Sequence, residues 1–193
     1  MRTSLLSPLK VAMAASALAC AAATFAHAQA PTEPAPYVRQ ALSSPTLAGQ
    51  GQLRFLGLRI YDARLWVGPQ FDAQAYDAHP LALELTYHRA FTGAAIAERS
   101  IQEIRKQRAL PVEQAARWQQ DLTQLLPDVQ AGDRLTGLYQ PGQGMALWRA
   151  GEKLGTLRDP ELAQRFFGIW LSPRTSEPRL RDALLSRNTG SSP

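Results

Sequence analysis

The sequence is poor in the residues that carry most enzyme chemistry. It has one cysteine and three histidines in 193 residues. Its longest apolar stretch, Val11 to Phe25, falls short of the roughly 20 residues that span a bilayer. Cys20 lies in a segment that reads as a secretory leader. Arg2 and Lys10 form a positive n-region, an Ala-rich apolar run follows, and Ala26-His27-Ala28 is a small-x-small cleavage site. Ala17 stands three residues before Cys20, where a lipidation signal would carry Leu. Cleavage after Ala28 leaves 165 residues starting at Gln29, enough for one domain with a sizeable core. That mature chain has no thiol, which excludes disulfides, thiolate metal sites and cysteine nucleophiles. A periplasmic protein with no stable membrane span after cleavage is expected.

The other shortages exclude further classes. Of the two histidines after the leader, His79 precedes a proline and His88 falls on the polar face of an alternating run, with no ligand-like spacing to a carboxylate. Neither a metal nor a cofactor is expected. Gly49-Gln50-Gly51 lacks the third glycine and the helix of a dinucleotide fingerprint. Ser100, Ser172 and Ser176 have no nucleophile-elbow context, and the last two read as turn or cap residues. Charge of one sign never accumulates. The net charge of +5 falls to +3 without Arg2 and Lys10, and bases interleave with acids, so nucleic acid is not an expected partner.

What is present is an ordered alternation of strand and helix patterns. The Pro-rich segment 29–48 reads as a flexible linker, 49–187 as the folded domain and 188–193 as a disordered tail. Gly49 to Val67, GQGQLRFLGLRIYDARLWV, is strongly β-forming, with arginines at 54, 59 and 64. Its alternation changes phase near Gly57 and Asp62, which predicts one long strand with bulges or a bend. Leu81 to Arg89 alternates cleanly and predicts a half-buried antiparallel strand. Thr92-Gly93 opens a helix with Ile96, Ala97, Ser100, Ile101 and Ile104 at 3–4 spacing and an Arg99–Glu103 i,i+4 pair. Pro111 starts a second helix through Leu126. Leu135–Tyr139 and Met145–Arg149 form a hairpin, and Lys153 to Leu157 adds a short strand. Asp159-Pro160-Glu161 starts a third helix. A last one spans 178–187, capped by Thr175 or Ser176. This is an α+β pattern, with helices covering one face of an antiparallel sheet.

Five motifs together give the chain a resemblance. They are the Gly-x-Gly opening, Ile60-Tyr61-Asp62-Ala63-Arg64-Leu65-Trp66-Val67, Thr92-Gly93 at a helix start, Gly132-Asp133 before the hairpin, and Phe166-Phe167-Gly168-Ile169-Trp170. The chain resembles the chalcone isomerase-like superfamily, which implies an open-faced β-sandwich. That superfamily contains isomerases, fatty-acid-binding proteins and members without assigned chemistry. Its isomerases use a strand arginine to hold a phenolate, and a Tyr and an Asn seven residues apart on the helix after Thr-Gly. The resemblance puts Ile96 at the tyrosine position and Glu103 at the asparagine position. Ile96 cannot donate a hydrogen bond, and Glu103 has the wrong sign for a developing oxyanion. An ungapped match puts Gly49 at the arginine position; a shift of register brings Arg54 there.

The resulting expectation is an exported protein without the isomerase residues that binds a small apolar or fatty-acid-like carboxylate. The expected ligand-binding residues are Arg54, Tyr61, Tyr87, Ile96, Arg99, Glu103 and Trp148, with Arg59 a further possible carboxylate partner. The alternatives are a protein-interaction or assembly module with a closed cleft, and an isomerase- or lyase-type enzyme of unknown substrate. They divide on whether Tyr61, Ile96 and Trp148 line a void or a filled core. Glu103 belongs either at the cleft mouth, bonded to an arginine, or on the surface in an exposed pair with Arg99.

Overall fold

Strand follows strand across a single antiparallel sheet in chain order. The structure is a computed structural model that describes residues 33–186, all within one compact unit. The expected leader, its cleavage site and the tail 188–193 lie outside the described residues. A short helix α1 (Pro36–Ala41) precedes strands β1 (Thr46–Phe55), β2 (Leu58–Val67) and β3 (Leu81–Tyr87). Helices α2 (Gly93–Gln107) and α3 (Val112–Leu125) lead to β4 (Arg134–Gln140), β5 (Gly144–Arg149) and β6 (Glu152–Leu157). Helices α4 (Pro160–Leu171) and α5 (Pro178–Leu185) close the domain. The sheet order is β1-β2-β3-β4-β5-β6, so the α+β architecture expected from the sequence is present.

The main core lies between one face of this sheet and α2–α5. Ala63, Leu65 and Val67 of β2 and Leu81, Leu83, Leu85 and Tyr87 of β3 meet Ala97, Ile101 and Ile104 of α2 there, with Trp118, Phe166 and Phe167. Local chemistry starts the helices as expected. Thr92 Oγ1 accepts from the Ala95 amide at 3.2 Å, and Asp159 Oδ1 accepts from the Leu162 amide at 2.9 Å. Asp159 also accepts from the Trp118 indole at 3.0 Å, joining α3 to the start of α4.

Four expectations are corrected. First, Gly49 to Val67 is a hairpin rather than one bent strand. Leu56 (φ 49°) and Gly57 (φ 79°) both have positive φ, the signature of a tight two-residue turn between strands. A chain reversal flips the alternation just as a bulge does, and the real irregularities fall at Leu47/Gly49 and Leu53/Arg54. Second, 36–48 is not a flexible linker. Pro36 starts α1, Val38 is fully buried with Leu42, and β1 begins at Thr46. Third, β3 is buried on both faces. Val38, Leu42, Trp66, Ala82 and Leu138 form a second cluster under α1, across the sheet from the main core. Fourth, α5 begins after Glu177 with no side-chain cap; Thr175 Oγ1 donates to the Ile169 carbonyl at 2.6 Å instead.

The Gly-x-Gly opening of β1 has a packing cause. A Cβ on Gly49 would lie 2.1 Å from the Ala183 carbonyl oxygen of α5, and one on Gly51 2.7 Å from Leu180 Cδ1. Only bare backbone lets α5 rest on β1. Gly49→Ala is therefore expected to cost about 1–3 kcal/mol or more, because the clash is with backbone that cannot rotate away. Urea denaturation followed by tryptophan fluorescence measures this; an unchanged midpoint would mean that α5 does not depend on that contact.

Candidate functional site

Between the sheet and helices α2 and α4 the core does not close. It leaves a cavity of about 410 Å³ whose walls are mostly apolar. The sheet contributes Leu53, Ile60, Leu83, Leu85, Leu135 and Leu147, and the helices contribute Ile96, Phe166, Phe167 and Trp170. Gly137 lies on the same wall, with the Phe167 ring where its side chain would be. Phe166 packs edge-on against Phe167 and Trp170, with ring centroids 5.8 and 5.3 Å apart. The volume falls within the range of small-molecule pockets.

Two phenols are the polar groups of the wall that carry no formal charge and remain available. Tyr61 and Tyr87 meet at 5.9 Å in a T-shaped pair. Burial pushes both hydroxyls well above the ordinary phenol range, so both are neutral donors. Tyr61 Oη accepts from the Trp170 indole at 2.9 Å, tying β2 to α4 and leaving its own proton uncommitted among the described residues. Ser100 is committed: its hydroxyl donates to the Ile96 carbonyl at 2.8 Å.

The charged part of the lining is built on α2. Glu103 Oε1 takes Arg99 at 2.7 Å and Lys106 at 2.8 Å, and Oε2 accepts from the Ser176 hydroxyl at 2.5 Å. The Glu103 side chain is 7% exposed, whereas that of Arg99 is 57% exposed. Burial raises the Glu103 pKa. The hydrogen bonds from Lys106 and Ser176 and the charges of Arg99 and Lys106 outweigh it and hold the carboxyl below its ordinary value. Both placements considered from the sequence are thus partly met: Glu103 pairs with Arg99 at i,i+4, yet is buried at the cavity wall. Glu177 also lines the cavity.

Tyr61, Tyr87, Ile96, Arg99 and Glu103 are brought together on this cavity wall. Arg54 and Trp148 are not. Arg54 is exposed near the end of β1. Trp148 belongs to the opposite sheet face, stacked on Tyr37 with centroids 4.5 Å apart. Its place in the strand alternation was readable, but not which face held the void. Arg59 instead faces Asp62 at 3.4 Å, and His88 Nε2 lies 2.8 Å from Asp62 Oδ2; this cluster is not part of the cavity lining. Among the described residues, no group of three His, Cys, Asp or Glu side chains could hold a metal. Sequence reasoning missed Phe55, Phe91, Ser176 and Glu177. Ser176 carried no signal, since its partner is 73 residues away.

The profile of the chalcone isomerase-like family matches residues 39–186, so the chain belongs to that family. Among solved structures it is similar to the Arabidopsis thaliana fatty-acid binding protein AtFAP1. The TM-score is 0.55 at 12% identity, covering 75% of this chain and 88% of that one. At that identity the likeness concerns the fold. Among curated proteins none matches.

The Glu103 network makes a prediction about pH. Its folded pKa is depressed, so its contribution is complete above the ordinary value of 4.5 and is lost as the pH falls through the lower folded value. Glu103→Gln is expected to cost about 1–3 kcal/mol at neutral pH, the worth of hydrogen bonds to a charged group. The gap between variant and parent should shrink below pH ~4.5. Urea melts at neutral and acid pH measure both effects; superimposable melts at neutral pH would reduce the network to surface decoration.

Proposed function

We propose that this chain is an exported binding protein without isomerase chemistry, whose cavity takes a small apolar carboxylate of the fatty-acid kind. The observation that carries this reading is the open cavity of about 410 Å³, apolar on most sides with charge gathered around Arg99 and Glu103. A filled cleft would favour a protein-interaction module; a lined void speaks for a ligand. The likeness to a fatty-acid binding protein of the same fold supports the choice of ligand class.

Arg99 is the best-placed partner for the ligand head. Glu103 holds one of its nitrogens at 2.7 Å, and a guanidinium has five N–H donors, so others remain for a second carboxylate. Lys106 offsets the Glu103 charge. The tail would then lie along Phe166, Phe167 and the leucines of the sheet. Loss of isomerase chemistry is argued from Ile96 and Glu103. Both border the cavity where the resemblance calls for Tyr and Asn, and neither donates a hydrogen bond to a developing oxyanion.

Two outcomes follow. Delipidated protein should bind a long-chain fatty acid in a fluorescent-probe displacement assay, and Arg99→Gln should weaken binding about 10- to 100-fold, the loss of a charge-assisted contact. No displacement by the parent protein would end the reading; full affinity in Arg99→Gln would move the head to Tyr61 and Tyr87. Separately, the intact mass of protein recovered from the periplasm should begin at Gln29. A mass that retains Cys20, or carries a lipid on it, would refute the export reading as stated.

A further inference from the structure

The β1–β2 hairpin ends in an apolar tip that the fold does not need. Phe55, Leu56 and Leu58 are 58%, 86% and 50% exposed. Phe55 and Leu58 form the last cross-strand pair, and Leu56 occupies the turn itself. Leu56 has φ 49°, a left-handed conformation that favours Gly, Asn or Asp and is unfavourable for leucine. This position therefore carries backbone strain and exposed hydrocarbon at once, a combination that marks function rather than folding.

The same chain contains its own control. The β5–β6 hairpin uses the same two-residue turn, with Ala150 (φ 49°) and Gly151 (φ 91°). It places a small residue where the first hairpin has leucine. The pair flanking that turn is Arg149 opposite Glu152, complementary charges that suit a solvated hairpin end. At the first hairpin the flanking pair is apolar. The next pair inward is Arg54 opposite Arg59, like charges that oppose hairpin formation.

We propose that this tip docks on a lipid bilayer carrying anionic headgroups. Three apolar side chains at a protruding turn, backed by guanidinium groups, fit the boundary between acyl chains and headgroups, where apolar burial and attraction to anionic lipid add. Arg54 has no ion pair among the described residues, and Arg59 is shared with Asp62 and His88. Arg89 is exposed one residue beyond His88, whose amide donates to the Ile60 carbonyl at 2.8 Å, so it belongs to the same end of the sheet. Phe55 also lines the cavity, so the docking surface is continuous with the cavity wall. The inference rests on the hairpin alone and holds whether or not the cavity takes a fatty acid.

The test is cosedimentation of the purified chain with vesicles of equal parts phosphatidylglycerol and phosphatidylcholine, against pure phosphatidylcholine. The parent should partition to the anionic vesicles, and Arg54→Gln should lower that preference. Leu56→Asn is the decisive variant, because Asn suits the left-handed turn and folding should be preserved or improved. It should reduce partitioning on the order of tenfold, the weight of one leucine removed from the interface, with an undiminished melting temperature and unchanged cavity-probe affinity. Parent protein that stays in solution with both vesicles, or Leu56→Asn that binds as the parent does, would overturn the proposal. So would a parent dimer that Leu56→Asn converts to monomer without any vesicle binding, which would assign the tip to a second copy.

Discussion

The structure around the cavity depends on a buried carboxylate being fully paired. An unpaired charge at Glu103 would cost several kcal/mol. Here two cations and a hydroxyl converge on it, from α2 itself and from the segment before α5. Glu103 therefore binds the exposed end of the α4–α5 connection to α2. Elsewhere on the cavity wall the Trp170–Tyr61 bond fixes α4 to β2. Both are directional contacts with fixed lengths. A wall framed by such contacts cannot contract onto its own apolar side chains as an all-hydrocarbon core would, and a void between sheet and helices can persist.

The opposite face of the sheet supplies the rigid floor. Val38 and Leu42 of the α1 region cover Trp66, Ala82 and Leu138. Tyr37 stacks on Trp148 and bonds Thr136 at 2.9 Å. Glu84 is buried in the middle of β3, with Arg64 and Arg134 within 3.8 Å. Burial raises its pKa against the pull of both arginines. A central strand closed on both faces has little freedom to bend. The shape of the cavity is then set by the helices and by the hairpin at the open edge.

Much of this was legible in the sequence because it rests on local rules. Thr92, Asp159 and Pro111 announced helix starts, the runs Leu135–Tyr139 and Met145–Arg149 announced a hairpin, and 3–4 spacing gave the buried side of α2. The misses have physical causes. A two-residue turn and a bulge both invert the alternation, so Leu56-Gly57 read as a bend. Helix α1 spans Pro36–Ala41, too short to show periodicity inside a Pro-rich segment, and its stability comes from tertiary burial of Val38. Alternation placed Trp148 and Tyr61 on faces of a sheet, but in a sheet covered on both sides an inward face need not be the cavity face. Arg54 was chosen from a resemblance in sequence, and its side chain is exposed near the hairpin end rather than on the cavity wall. Ser176 was assigned a capping role because serine before a helix usually has one; a long-range carboxylate outcompeted the backbone for its hydroxyl.

The ionisable groups of the cavity lining are held in fixed protonation states. A general acid or base works best with a pKa near the operating pH and a free proton site. Glu103 is displaced below its ordinary range, and both of its oxygens are already engaged. Tyr61 and Tyr87 are displaced upward by burial and stay protonated. The ionisable groups whose pKa values move are thus driven away from neutrality in opposite directions, the carboxylate staying charged and the phenols neutral. That arrangement presents fixed hydrogen-bond donors within apolar walls. Electrostatic preorganisation of this kind serves catalysis when it is aimed at charge that develops during reaction. Beside Glu103, negative charge is accommodated only where Arg99 and Lys106 offset that anion, a condition that bears equally on a reacting group and on a bound carboxylate.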